Sequence, residues 1–280
     1  MSKRNYAGEV AVVIPVYKEK LTSAEMFSLN KTLKVLAGRD IFIIAPEFLK
    51  DILTKTYLNT NLKFKFFQDK YFTGVDGYNW LLMSALFYKA FANYNFMLIV
   101  QLDALVFNDK LSDWCERNYS YVGSPLFVGL HSPVKPLRFL QGGNGGFSLR
   151  KIDDFIKVFS TPRHMPNFYT TNLIAIRPVT YWERLKTFAH NFIFSYNFQP
   201  LLPRINEDAF WSILVPKYCD FFKVASPEDE VAFGFEVEPR HLYQLNNYQV
   251  PFGCHAWEKY DKQFWVDISK HHSLDINAHL

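Results

Sequence analysis

The chain has 280 residues, 49% hydrophobic and 21% charged. This composition supplies a large core and excludes a disordered, collagen-like or disulfide-stapled chain. Its net charge of +4, from 31 Lys and Arg against 27 Asp and Glu, contains no basic run of five or more, so it makes no electrostatic case for nucleic acid.

Taken from the start, Lys3 and Arg4 precede a short β-branched apolar stretch that Pro15 stops. This is unlike a signal peptide, and a cytoplasmic start is the expectation. The run from Glu9 to Tyr17 predicts a buried parallel strand ending in a loop. A helix over 22–37 follows, opened by Thr22 or Ser23 with Glu25 completing a capping box and closed by Gly38. Residues 39–45 predict a second buried strand and 46–57 a second helix. This βαβα rhythm calls for a mostly parallel central sheet flanked by helices. A third strand is expected at 62–67, a buried helix at 78–92, and a central strand starting at Tyr94 and running to Val100.

Beyond residue 110 the rhythm gives way to short strands, prolines at 125, 133 and 136, and a glycine cluster. No repeat or low-complexity linker separates the halves, so the second is expected to fold onto the first. Even the longest apolar runs, such as Phe96–Val100, fall far short of the roughly 20 residues that cross a bilayer. Cys115, Cys219 and Cys254 are odd in number and widely spaced, which argues for buried thiols rather than a disulfide framework or thiolate metal site. The aromatic residues, 18% of the chain, are expected mainly in the core, with a few left to stack on a sugar or nucleobase.

Four stretches carry chemistry. Asp103 follows an apolar strand, where an unpaired charge costs several kcal/mol, so it must meet a cation, accept backbone N–H groups, or sit at the strand's C-terminal end where α/β sheets bind ligands. Gly142, Gly143, Gly145 and Gly146 fit a flexible turn or a loop lining a site, and their spacing matches neither a Walker loop nor a dinucleotide fingerprint. Glu207 and Asp208 stand at a helix start, where they serve either as caps or as a general base. His255 lies between aromatics in Pro251–Trp257, a setting that more often holds a core or surface residue than a ligand.

In this order, Pro15-Val16-Tyr17, Gln101-Leu102-Asp103, the run Gly142–Arg150, Asn206-Glu207-Asp208-Ala209-Phe210-Trp211 and Pro251–Trp257 resemble GT-A fold glycosyltransferases, in particular the DUF5672 group. The likeness runs from about residue 10 to 258. It implies a single GT-A-like (Rossmann-like) domain over 1–280, with a nucleotide-sugar-binding half at about 9–110, a smaller irregular acceptor and catalytic half at about 111–260, and a tail at 261–280. It implies a nucleotide-sugar donor, UDP-linked, and a hydroxyl acceptor on a glycan, a lipid carrier or another molecule. Pro15, Val16 and Tyr17 then lie along the base, and Asp103 with His255 holds Mn²⁺ or Mg²⁺ on the diphosphate. Gln101 replaces the first Asp of the D-x-D pattern and can only hydrogen-bond. The resemblance sets Asn144, Gly145, Gly146 and Phe147 beside the donor sugar, with Gly143 in the same loop. Asp208 is the implied base of an inverting transfer and Glu207 holds the acceptor or the donor sugar by hydrogen bonds, while Asp76, Tyr78 and Asn79 are candidates for base or ribose.

Three rivals stand beside this reading. A nucleotidyltransferase of the same fold needs a glycine-rich loop after the first strand, where Tyr17-Lys18-Glu19-Lys20 has no glycine. A non-catalytic or metal-independent sugar-nucleotide binder would explain Gln101. Nucleic-acid binding through Lys63-Phe64-Lys65-Phe66-Phe67 is set aside, because that alternation is what a half-exposed strand looks like. Finally, the aromatic and basic stretch 181–204 predicts a helix packed on the core. Its rival role is a cover over the acceptor site that touches the inner face of a membrane.

Overall fold

The computed structural model describes residues 9–160, 182 and 206–272. Six strands form the main sheet: β1 (Val10–Pro15), β2 (Asp40–Pro46), β3 (Lys63–Phe67), β4 (Phe96–Val100), β6 (Tyr121–Phe127) and β7 (Phe139–Lys151), in the order β3-β2-β1-β4-β7-β6. The first four are mutually parallel, and β7 runs antiparallel to both β4 and β6. A second sheet joins three two-residue strands, β5 (Leu105–Val106), β8 (Gly234–Phe235) and β9 (Gly253–Cys254), in the order β5-β9-β8.

The strands β1, β2 and β4 are buried on both faces, as their continuous apolar runs require, while the edge strand β3 is half-buried. Val10, Val12 and Ile14 face a core shared with α1 (Ser23–Val35), α2 (Lys50–Thr56) and α5 (Leu111–Glu116). Ala11 and Val13 face the opposite core, shared with α3 (Val75–Leu82), α4 (Ala85–Lys89) and α6 (Ile152–Ser160). The architecture is therefore the expected α/β sheet, mixed but mostly parallel. The capping box at α1 forms as read, with Thr22 Oγ1 accepting from Glu25 N and the Glu25 carboxylate accepting from Thr22 N.

Two expectations need correction. The helix read over 78–92 is two helices, because Ser84 leaves the helical conformation and its hydroxyl accepts from Phe87 N to start α4. The glycine cluster is not a turn but lies inside β7, a strand of 13 residues. All three cysteines are buried. Among the described residues no helix is long and apolar enough to cross a membrane. Apart from Trp182, the stretch 181–204 lies outside the described residues, as does the end of the tail from 273.

Candidate functional site

The chain turns from β1 toward β2 on one side, while β4 lies on the other side of β1. A crevice opens where strand order reverses in this way, at the carboxyl ends of the strands. A cavity of about 600 Å³ occupies that place, lined from β1 by Pro15 and Tyr17 and from the end of β4 by Gln101, Leu102 and Asp103. Asn144, Gly145 and Gly146 line it from β7, and Asn206, Glu207, Asp208 and His255 from the C-terminal region. Tyr78, Asn79, Phe72 and Val75 close one side.

Four of the sequence-derived candidates do not line the cavity, and one of them, Phe147, packs in the core against Phe233 and Phe252. Val16 is buried in the core, Asp76 is exposed elsewhere, and a β-carbon on Gly143 would come within 2.8 Å of the Gly123 backbone in β6, so that glycine serves strand packing. Asn79 does line it, but its amide is engaged: Oδ1 accepts from Glu207 N at 3.1 Å and Nδ2 donates to Asn206 Oδ1 at 3.4 Å. It thereby caps the short helix Glu207–Ala209, whose N-cap residue Asn206 makes no side-chain cap bond.

The role of the glycines follows from what would strike a side chain there. A β-carbon on Gly145 would fall on the Glu207 carboxylate, and one on Gly146 on the His255 ring. These positions are bare because two functional side chains lie against the strand.

One wall of the cavity is built around Arg150, which is fully buried. Its guanidinium donates to Glu207 Oε1 at 2.7 Å, Tyr88 Oη at 2.9 Å, Ser148 Oγ at 3.0 Å and Gly145 O at 3.4 Å. Phe210 and Trp211, both buried, anchor the adjoining carboxylates, with Trp211 Nε1 donating to Leu82 O at 2.9 Å. Glu207 is 4% exposed, and its second oxygen, Oε2, has no partner among the described residues. Asp208 is pushed up to about 7, first by burial and then by the charge of Glu207. Nothing in the spacing of Gly142–Arg150 singled out Arg150. The signal was an arginine at a strand position with apolar neighbours, which demands a buried acid.

The opposite wall holds Asp103, just beyond β4, and His255, just beyond β9. His255 Nε2 lies 3.2 Å from Asp103 Oδ1 and 3.1 Å from Gln101 Oε1, while Nδ1 lies 3.1 Å from Glu236 Oε1. Burial pushes Asp103 up, but the hydrogen bond and charge of His255 outweigh it and hold the carboxyl below its ordinary range. Burial pulls His255 down, yet the charge of Glu236 and the bonds to Asp103 and Glu236 win and raise it to about 10.

Both ring nitrogens of His255 thus face oxygen acceptors. A proton on each satisfies them, or else Nδ1–H donates to Glu236 and the Nε2 lone pair joins Asp103 and Gln101 around a cation. Among the described residues no three His, Cys, Asp or Glu side chains are grouped to hold a metal. The set of one carboxylate, one imidazole and one amide oxygen nevertheless suits Mg²⁺ or Mn²⁺, which commonly take one or two protein carboxylates and complete their shells with substrate phosphates and water.

The family model described as "Protein of unknown function (DUF5672)" matches residues 61–255. The chain belongs to the DUF5672 family. No curated protein sequence matches this DUF5672 chain. Solved structures similar to it include the galactosyltransferase LgtC in complex with donor and acceptor sugar analogs, at 10% identity and a TM-score of 0.49, covering 96% of this chain and 100% of that one. Mouse xyloside xylosyltransferase 1 is similar at 11% identity and a TM-score of 0.47, over 87% of this chain and 96% of its own. Core-mannan synthase A from Aspergillus fumigatus, in an Mn/GDP form, is similar at 12% identity and a TM-score of 0.45, over 77% of this chain and 72% of its own.

Proposed function

We propose that this chain is a glycosyltransferase moving a sugar from a nucleotide-sugar donor, UDP-linked, to a hydroxyl acceptor with inversion. The observation that carries this reading is one cavity with two aspartates shifted in opposite directions, Asp103 down and Asp208 up to about 7. Carboxyls pushed apart in this way take different tasks: one stays ionised to hold a cation, the other exchanges a proton near neutral pH.

The donor's nucleotide lies against Pro15, Tyr17 and Tyr78. Asp103, His255 and the amide oxygen of Gln101 would hold Mn²⁺ or Mg²⁺. When bound there, the ion neutralises charge on the departing diphosphate. Asp208 accepts the proton of the acceptor hydroxyl as that oxygen attacks the anomeric carbon from the face opposite the leaving group. Glu207, fixed through Oε1 by Arg150, lines the cavity beside Asp208 and raises the proton affinity of that carboxyl. Gly145 and Gly146 leave room against the strand for the Glu207 carboxylate and the His255 ring.

A second reading, a metal-independent transferase, is favoured by the imidazole of His255, whose two nitrogens already meet oxygen acceptors and whose protonated form supplies a positive charge. One experiment tests both. Purified protein is given a panel of nucleotide sugars with Mn²⁺, Mg²⁺ or EDTA, and nucleoside diphosphate release is measured with and without simple glycoside acceptors. Release that needs metal supports the first reading, and release in EDTA the second. Donor binding without release by any member of the panel points to a non-catalytic binder, and release of pyrophosphate from sugar phosphate and nucleoside triphosphate points to a nucleotidyltransferase.

A further inference from the structure

Glu236 carries no sequence motif and does not line the cavity, yet the small sheet sets it in a fixed relation to the two residues that do. In that sheet β5 and β9 are antiparallel, pairing Leu105 with Cys254, while β8 and β9 are parallel, pairing Phe235 with Cys254. The start of β5 and the ends of β8 and β9 therefore meet at one edge. Asp103 precedes β5, Glu236 directly follows β8, and His255 directly follows β9. Backbone bonds continue the registration, from His255 N to Phe235 O at 2.9 Å and from Trp257 N to Asp103 O at 3.3 Å. Three residues remote in sequence thus stand in a row, with the imidazole in the middle.

We infer that Glu236 is a positioning residue that fixes the proton of His255 on Nδ1 and so turns its Nε2 toward Asp103, Gln101 and the cavity. The inference rests on the proposed metal-binding role of His255. A carboxylate oxygen accepts, so the contact of 3.1 Å to Glu236 Oε1 requires Nδ1 to donate. The partner of one imidazole nitrogen decides what the other can do. With Nδ1–H committed, the proton that a cation displaces from the ring is the one on Nε2, and its loss presents a lone pair there. Without that partner the proton is free to sit on Nε2, where Asp103 Oδ1 and Gln101 Oε1 would accept it and no cation could be taken.

The orientation is as closely held as the tautomer. Glu236 is 3% exposed, so water does not compete for its oxygen. The bare face of Gly146 gives the ring a single seat, since a β-carbon there would overlap it. Carboxylates placed behind a ligating histidine in this way typically change metal affinity about 10- to 100-fold when removed.

The test uses the full chain and its Glu236→Leu and Glu236→Gln variants. Thermal unfolding first establishes that each folds cooperatively. Free Mn²⁺ is then followed by electron paramagnetic resonance during titration, alone and with UDP. Glu236→Leu is expected to bind Mn²⁺ about 10- to 100-fold more weakly. Glu236→Gln, whose amide oxygen still accepts from Nδ1, is expected to fall between it and wild type. A folded Glu236→Leu variant with wild-type Mn²⁺ affinity overturns the inference and leaves the metal reading intact. Should wild type take up no Mn²⁺ in either condition, the metal reading falls, and ¹⁵N resonances of the His255 ring decide the inference. A slowly exchanging Nδ1 proton in wild type that is lost in Glu236→Leu supports it, and identical ring signals in the two proteins overturn it.

Discussion

The two walls of the cleft each carry an aspartate, Asp103 with its side chain 52% exposed and Asp208 half-buried, and they differ also in the company they keep. Asp103 faces an imidazole that is itself backed by Glu236, so the negative charge is matched and the carboxyl stays ionised. Asp208 has another carboxylate beside it, and the nearest cation, Arg150, is already bonded to Glu207. Loss of hydration pushes both carboxyls up, and the position of the compensating charge sends them apart, Asp103 down and Asp208 up.

The largest effect should come from removing the proton acceptor. Asp208→Asn keeps the shape and is expected to lower transfer by about 10²- to 10⁴-fold while donor affinity changes little. Wild-type turnover in the variant would reduce Asp208 to a helix-start residue and erase the contrast between the walls. The same group sets a pH dependence. The unfolded chain releases this proton near pH 4 and the folded chain near 7, so folding takes up a proton between them and stability falls as pH rises through that window. Above about 7 that loss is complete, and Asp208→Asn should be more stable than wild type there, as thermal unfolding at several pH values will show.

Next in size is the ion pair behind the same wall. Arg150→Met leaves Glu207 buried without its cation and is expected to cost about 3–5 kcal/mol in chemical denaturation. A loss below about 1 kcal/mol would mean that the guanidinium does not balance this wall. Glu230 provides a control away from the cleft. It is fully buried, neither oxygen has a partner among the described residues, and burial followed by the charge of Glu228 raises its pKa well above the ordinary value. Glu230→Met should stabilise the protein at pH 8 by about 1–3 kcal/mol, with the gain shrinking as the pH falls toward the ordinary carboxylate range and wild-type Glu230 is protonated in the unfolded chain as well. The smallest effect expected is on the Asp103 wall: Asp103→Ala should abolish the gain in UDP affinity that Mn²⁺ confers, a change of about tenfold, or ~1.4 kcal/mol, by calorimetry. Equal metal dependence in the variant and wild type would remove Asp103 from the cation site.

The parallel half was legible because its signals are local. Apolar β-branched runs stopped by proline, and Thr22 with Glu25, act within one strand or one helical turn. The order of Gln101-Leu102-Asp103, Glu207-Asp208 and His255 also pointed to one site, and the fold brings those residues to one cavity. What stayed hidden depends on distant partners. The glycines read as either a turn or a site-lining loop, since nothing near them in sequence reveals that Glu207 and His255 come to lie against a strand. Arg150 and Glu236 each show their role only beside an acid or an imidazole far along the chain. The break at Ser84 was locally visible as a capping residue, but the apolar character of 78–92 masked it.

The small sheet has a consequence for how the protein comes to be active. Its strands are two residues long and join segments near 105, 235 and 254, so closing it spends loop entropy for few hydrogen bonds. Pairings of such wide sequence separation form late relative to local helices and neighbouring strands. During refolding from denaturant, recovery of Mn²⁺ binding should therefore lag behind recovery of the far-ultraviolet signal of the main sheet and its helices. On the proposed function, a chain whose parallel half is already assembled would still lack the edge at which Asp103 and His255 meet.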